Sequence, residues 1–291
     1  MSGAALSLPP GVRVPDRVAW INGRIVRGSE VALSLFDRGA RDGGAIFETL
    51  RVYGGVPFAW ERHLERLVLS AAELGFPVPP SPGALRAALA ELLEALGLRD
   101  AVVRLTVTRG IAGARPTRAG AWLEAEAPTA RLWAGTRRGA GTAIVSRTPF
   151  EPGWLGRHKT ASRLAWDLAR EEARAAGVDE AILVAPAGQV LEGAASNVFV
   201  VRDDELLTPP LSLPVLPGVT RAIVLELCRE MGLRHRELAI VPEHLRWAHE
   251  ILLTNSVQEV LPLAELDGRP LPSRAIGQRL REAYRRRVGV A

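Results

Sequence analysis

Two hairpin signatures fall within the first sixty residues, and each leads into a different kind of pattern. In VAWINGRIVRGSEV (18–31) apolar runs flank Asn22-Gly23, and in IFETLRVYGGVPF (46–58) the chain turns at Gly54-Gly55. Asn-Gly and Gly-Gly accept the positive φ of a two-residue turn, so the flanking strands pair antiparallel. The period then changes. WERHLERLVLSAAELG (60–75) places Leu64, Leu67, Ala71 and Leu74 at helical spacing and stops at Gly75. A second amphipathic helix is predicted over 84–97 and a strand over 101–110. Hairpins mixed with helices in this way point to an α+β fold.

The stretch 109–141 is rich in Gly, Ala, Arg and Pro, and AWLEAEA within it reads as a strand. With 291 residues to place, the chain has room for one large domain or two modest ones. The expected division is a small domain over 1–133, a linker over 134–140 and a larger domain over 141–291. In the second part a strand is predicted over 142–150 and a helix over 160–177. EAILVA, QVLEG, NVFVVR and ELLTP follow as short strands, with turns at Pro186–Gly188 and Asp203-Asp204, then a helix over 218–232.

Composition removes several function classes. The net charge is +5, but 32 acidic residues are interspersed with the basic ones, and the densest basic run, REAYRRR (281–287), reads as the solvated face of a last helix. Nucleic acid is not an expected partner. No apolar run reaches 18 residues, so no membrane span is expected, and the N-terminus has no basic start of the secretory kind. One cysteine, Cys228, leaves no internal disulfide, and five dispersed histidines form no metal-ligand spacing. A cytoplasmic setting without a metal is expected.

The basic residues number 37, and Lys159, in GRHKTASR, is the single lysine among them. Arginine serves surface charge equally well, but it cannot shed its proton to become a nucleophilic amine. Two other features stand beside it: Glu192 in the strand VLEG, and Gly218-Val219-Thr220 at the start of a helix. Taken singly, each has a bland account as chance, a solvated strand carboxylate and a common N-cap. Together they supply what pyridoxal phosphate needs: an amine for a Schiff base, an acid for the pyridine nitrogen, and helix N-terminal amides for the phosphate.

The ordered series WINGRIV, SLFDRG, FETLRVYGG, HLERL, HK, VLEGAASNVFVV, LLTPP, LPGVTR and TNSVQEVLPL resembles the fold-type IV pyridoxal-phosphate enzymes. That group contains branched-chain aminotransferases, D-amino acid aminotransferases and 4-amino-4-deoxychorismate lyases. The resemblance implies a two-domain α+β fold: a small α/β domain, and a larger domain with a barrel-like β core and helices. It implies pyridoxal 5'-phosphate as cofactor, with Lys159 forming the Schiff base and Glu192 meeting the pyridine nitrogen. Arg66, Val219, Thr220 and Ser256 are implied at the phosphate, with Ser196 and Asn197 also in the cofactor site. Phe47, Arg109, Arg115, Arg118 and Val257 are implied on the substrate side. A homodimer is the expected assembly.

Within the family, the chain departs from each branch. Asp42-Gly43-Gly44-Ala45 replaces the usual aromatic-Gly-Asp-Gly. Phe47 stands where D-amino acid aminotransferases place a tyrosine that helps hold the substrate carboxylate. The loop IAGARPTRAG lacks their Arg-x-His trap, and FET replaces the FEG of branched-chain enzymes. The expected activity is amino transfer between an amino acid, or a related primary amine, and a 2-keto acid. The 4-amino-4-deoxychorismate lyase is its competitor, because Lys159–Leu164 and FETLRV resemble that branch. A non-catalytic basic binding protein on the same fold is the third possibility, and retention of Lys159 and Glu192 argues against it.

Overall fold

The computed structural model describes residues 17–115, 117–129 and 139–289. Residues 134–138 of the expected linker, and the N-terminal segment weighed as a signal, lie outside them. The described chain forms two compact units. One holds residues up to Pro128 together with Lys159–Ser162; the other runs from Thr129 to His158 and from Arg163 onward.

The first unit is a six-stranded sheet in the order β2-β1-β6-β5-β3-β4. Its strands are β1 (Val18–Ile21), β2 (Arg24–Arg27), β3 (Ala45–Tyr53), β4 (Val56–Pro57), β5 (Ala101–Thr108) and β6 (Gly120–Glu126), and every pairing is antiparallel. Asn22 (φ 48°) and Gly23 (φ 100°) make the left-handed turn expected between β1 and β2. The second hairpin is shorter than its sequence suggested. Only two residues return after Gly54-Gly55, and β3 takes its main partner from β5. A short helix, α1 (Arg38–Asp42), precedes β3, and two longer ones follow, α2 (Trp60–Glu73) and α3 (Pro82–Leu96). Ser81 caps α3 by accepting from the Ala84 amide, Pro82 sits in its first turn, and Gly97 ends it in the left-handed region. Both long helices pack on one sheet face. Alternation along β3 sends Ile46, Leu50 and Val52 into that core with Leu64, Leu67, Leu89 and Leu105. It also sends Glu48 there and Phe47 to the opposite face.

The second unit is a nine-stranded mixed sheet around a second core. In chain order it contains β7 (Gly141–Val145), α4 (Leu164–Ala175), β8 (Glu180–Val184), β9 (Val190–Gly193), β10 (Asn197–Arg202) and β11 (Glu205–Thr208). Then come α5 (Val219–Glu230), β12 (Arg234–Glu237), α6 (Pro242–Arg246), β13 (Glu250–Asn255), β14 (Glu259–Leu266), β15 (Arg269–Pro270) and α7 (Ala275–Val288). The sheet path is β12-β11-β10-β13-β14-β7-β8-β9, with β15 beside β14. The α+β reading and the strand core expected of the second part hold. No helix among the described residues is long and apolar enough to cross a membrane.

Two expectations are corrected. The helix predicted from residue 160 begins at Leu164, because the preceding residues are claimed as an edge strand: the Phe47 amide donates to Lys159 O and the Ala161 amide to Ala45 O, both at 2.8 Å. The strand predicted over 142–150 stops at Val145, where Glu172 of α4 accepts from the Ser146 hydroxyl and the Arg147 amide. The basic C-terminal run lies on α7 as expected, with Arg286 and Arg287 exposed and Ala283 and Tyr284 turned inward. Arg285 pairs with buried Glu259, and Arg287 with Glu226 and Glu230.

Candidate functional site

In the first unit, Lys159 is held by its own backbone. The edge pairing with β3 puts it opposite Phe47, and residues opposite one another share a sheet face. Its Nζ lies 4.7 Å from the Phe47 ring centroid, and the Arg104 guanidinium carbon lies 3.6 Å from the same centroid. Two cations therefore share one aromatic ring. The Thr106 hydroxyl, opposite Phe47 on β5, is buried without a hydrogen-bond partner among the described residues.

The other face of β3 carries a second polar group. Glu48 and His63 are each 1% exposed. His63 Nδ1 lies 2.7 Å from Glu48 Oε2, while Arg66 donates from Nε to Oε1 (2.8 Å) and from Nη2 to Oε2 (2.6 Å). Burial works to raise Glu48, but the Arg66 charge and the His63 and Arg66 hydrogen bonds prevail and bring its pKa down to about 2. Burial pushes His63 below its ordinary value, with Arg66 and Lys159 adding to the push and Glu48 opposing it. Both folded-state values lie below the unfolded ones. Their stabilisation is therefore complete above the unfolded values and is lost as pH falls. Acid unfolding should show a loss of stability between about pH 4.5 and 2 from Glu48. A Glu48→Gln variant should flatten that segment in urea melts, and an unchanged slope would remove Glu48 as its source.

In the second unit, Glu192 (4% exposed) sits on β9 among donors. Trp166 Nε1 donates to Oε1 (3.1 Å), the Leu216 amide to Oε2 (2.9 Å), and Asn197 Nδ2 approaches Oε2 at 3.5 Å. Phe150 packs edge-on against the Trp166 ring, with centroids 4.8 Å apart. A second buried carboxylate, Glu180, holds the turn after Glu192 by accepting from the Ser196 hydroxyl and the Ala195 amide. Burial raises its pKa. Ser196 thus spends its hydroxyl within the turn, and Asn197 ties Glu192 to the Leu216 carbonyl at 2.9 Å.

The start of α5 is open. Gly218 is its N-cap, no side chain among the described residues caps it, and its first turn holds no acidic residue. The Val219 and Thr220 amides therefore present the positive end of the helix. A Cβ on Gly218 would fall 1.9 Å from Asn197 Oδ1. Thr254 pairs with Asn197 across β13 and β10, is 2% exposed, and its Oγ1 has no hydrogen-bond partner among the described residues. Thr220 is buried and Ser256 half-buried. Arg221 is consumed by Glu237 (2.6 Å) and the Pro209 carbonyl (2.8 Å). Uncapped amides, a glycine approach and an unsatisfied buried hydroxyl suit an anion such as a phosphate. Gly218→Ala should destabilise the fold by roughly 1–3 kcal/mol, because Asn197 is held by Leu216 and cannot yield. A differential-scanning melt unchanged to within a degree would contradict that.

The substrate-side candidates are spread more widely. Phe47 lies beside Lys159. Arg109 donates to the Leu74 carbonyl and lies over Phe76. Arg115 and Arg118 are exposed. The Val257 amide donates to Asn255 Oδ1 at 2.9 Å. Sequence reasoning passed over Glu48, His63, Arg104, Trp166 and Thr254. Only the His63-to-Arg66 spacing, three residues on one helix, gave a usable signal.

Comparison with known proteins adds independent findings. The family model for amino-transferase class IV matches residues 45–266. The chain is 34% identical over 263 residues to the D-alanine aminotransferase of Bacillus licheniformis, covering 88% of this chain and 90% of that one. Its fold superposes with a TM-score of 0.85 on the branched-chain aminotransferase of Thermoproteus uzoniensis with norvaline, at 29% identity and covering 94% and 95% of the two chains. It superposes at 0.83 on a hypothetical aminotransferase from Mycobacterium tuberculosis in its PLP-bound form, at 28% identity and covering 92% of this chain and 98% of that one.

Proposed function

From its place among the class IV aminotransferases, the family to which this chain belongs, we propose that it transfers the amino group of a branched-chain L-amino acid to a 2-keto acid, using pyridoxal 5'-phosphate held by Lys159. The chain is an aminotransferase of fold type IV, and the relatives it matches favour that activity over the lyase. Class IV aminotransferases depend on pyridoxal phosphate, and the residues present fit that coenzyme. The open start of α5 and the unsatisfied Thr254 hydroxyl suit its phosphate, the donor-lined Glu192 suits its ring nitrogen, and Lys159 is the chain's single amine side chain.

Bound there, the coenzyme supplies a carbonyl for an amine to condense with and a protonated ring that takes up the electron pair left when an α-proton departs. Lys159 would hold it through Nζ, and that amine, when free, is the group that would move the proton at the substrate α-carbon. Glu192 keeps the proton on the ring nitrogen. The Val219 and Thr220 amides, Arg66 and Ser256 are the groups that would hold the phosphate. Asn197 orients Glu192, and Ser196 fixes the turn between them.

Several observations support the L-branched-chain reading. Phe47 offers an apolar ring, without the phenol that D-amino acid enzymes use. The loop over 109–118 leaves Arg115 and Arg118 for a carboxylate but no Arg-x-His. Arg104, stacked on Phe47, suits the second carboxylate of glutamate as an alternate donor. A cytoplasmic homodimer completes the reading. The observation that carries most weight is the lone lysine fixed against β3 beside the Phe47 ring.

A half-reaction tests it. The reconstituted protein is mixed with L-leucine, L-glutamate, D-alanine or D-glutamate, each without a keto acid, and the visible coenzyme band is followed. Loss of the band with L-leucine and L-glutamate is expected. Loss with D-alanine alone would replace the substrate assignment. A band unmoved by every donor would send the assignment to the lyase, to be assayed with 4-amino-4-deoxychorismate.

A further inference from the structure

We propose that Glu48 and His63 are positioning residues for Arg66, locking its guanidinium in one orientation so that the end turned away from Glu48 grips a phosphate monoester. This rests on the reading of Arg66 as a ligand of the coenzyme phosphate. It goes further by assigning work to two buried residues that the reading leaves idle.

Glu48 lies in the middle of β3, on the face where its neighbours Ile46 and Leu50 enter the apolar core. A carboxylate there is costly, and ion pairs in such places usually contribute less stability than apolar residues of the same volume. Pinning α2 to the sheet is therefore a weak reason for the group. Its geometry is more specific than pinning needs. Arg66 meets both carboxylate oxygens side-on, at 2.8 and 2.6 Å. That bidentate contact fixes the plane of the guanidinium and its rotation about the side chain. It uses Nε and Nη2, so Nη1 is directed away from Glu48.

His63 completes the clamp. It lies one helical turn before Arg66 on α2, and its Nδ1 approaches the Oε2 that also receives Arg66 Nη2. A carboxylate only accepts, so Nδ1 carries the proton of this contact. Burial disfavours a charged imidazole here, and His63 buttresses Glu48 through this hydrogen bond. Glu48 is thereby held from two sides, and Arg66 is held by Glu48. A lone arginine on a helix samples many rotamers. This one has its donor edge set before any anion arrives, which lowers the ordering cost of binding.

The experiment compares two probes, pyridoxal 5'-phosphate and pyridoxal, which lacks the phosphate. Their Kd values are measured by absorbance titration of the apoprotein for wild type, Glu48→Gln, His63→Leu, Arg66→Lys and the Glu48→Gln/Arg66→Lys pair. Expected are losses of about tenfold or more for the phosphorylated probe in Glu48→Gln and Arg66→Lys, with pyridoxal moving less than about twofold. The double variant should bind no more weakly than Arg66→Lys, and His63→Leu should show a smaller loss of the same selectivity. A loss in Arg66→Lys without one in Glu48→Gln or His63→Leu would overturn the positioning role and leave Arg66 at the phosphate. Unchanged affinity in Arg66→Lys would overturn the Arg66 reading and the positioning role with it. Equal losses for both probes would make the clamp merely structural and overturn the proposal. If Glu48→Gln fails to fold, His63→Leu, which keeps carboxylate and arginine, decides by the same ratio of the two probes.

Discussion

A Lys159→Ala enzyme is expected to lose turnover by about four orders of magnitude or more, and Lys159→Arg is expected to fare no better. The second variant is the sharper one. Arginine keeps a cation in place of the one now 4.7 Å from the Phe47 ring, and the backbone bonds to Phe47 and Ala45 do not depend on the side chain. Fold and charge thus survive in Lys159→Arg, and only the ability to give up a proton and act as a nucleophile is gone. A second readout does not depend on activity. In a chain with one lysine, borohydride reduction of the reconstituted protein should fix the coenzyme's mass to a single internal peptide, the one carrying residue 159. In both variants that mass should be absent. Recovery of wild-type turnover in Lys159→Arg, or coenzyme trapped on any other internal peptide, would end the assignment.

Why this lysine was legible in the sequence, while its surroundings were not, follows from what each depends on. A lone lysine among arginines is a chemical statement that needs no neighbours. Asn22-Gly23 and the period of 60–75 are local as well, since φ preference and helical spacing are set within a few residues, and the α+β reading built on them holds. Gly-Val-Thr before a helix was legible for the same reason. The Glu48–His63–Arg66 group was not. FET and HLERL are fifteen residues apart, from Glu48 to His63, and their meeting depends on which face of β3 receives α2. The helix predicted from residue 160 failed because Thr160 and Ala161 find their partners on β3, more than a hundred residues earlier in the chain. RHRE (234–237) carries no apolar alternation, yet it is a strand because β11 offers it a parallel edge. In each case tertiary pairing overrode the local pattern.

Glu192→Gln is expected to slow α-proton removal by about a hundredfold while leaving coenzyme affinity within about threefold, because the phosphate contacts are elsewhere. The substitution also tests the pocket itself. The groups bonded to Glu192 at 3.1 and 2.9 Å are both N–H donors, the Trp166 indole and the Leu216 amide, and the Asn197 amide group approaches as a third. A carboxylate meets all of them as an acceptor. A glutamine presents one oxygen and one NH2, so whichever way it turns, donor faces donor on one side. The variant should therefore lose roughly 1–3 kcal/mol of stability as well as rate. Trp166→Phe separates the two effects: it keeps an aromatic ring against Phe150 and removes one donor, so it should cost less of both. The rate is read from deuterium washout at the α-carbon of L-leucine, which reports proton removal without requiring product release. Washout at the wild-type rate in a folded Glu192→Gln protein would take Glu192 out of the reaction. It would leave the donor-lined pocket as a device for holding the turn between β9 and β10.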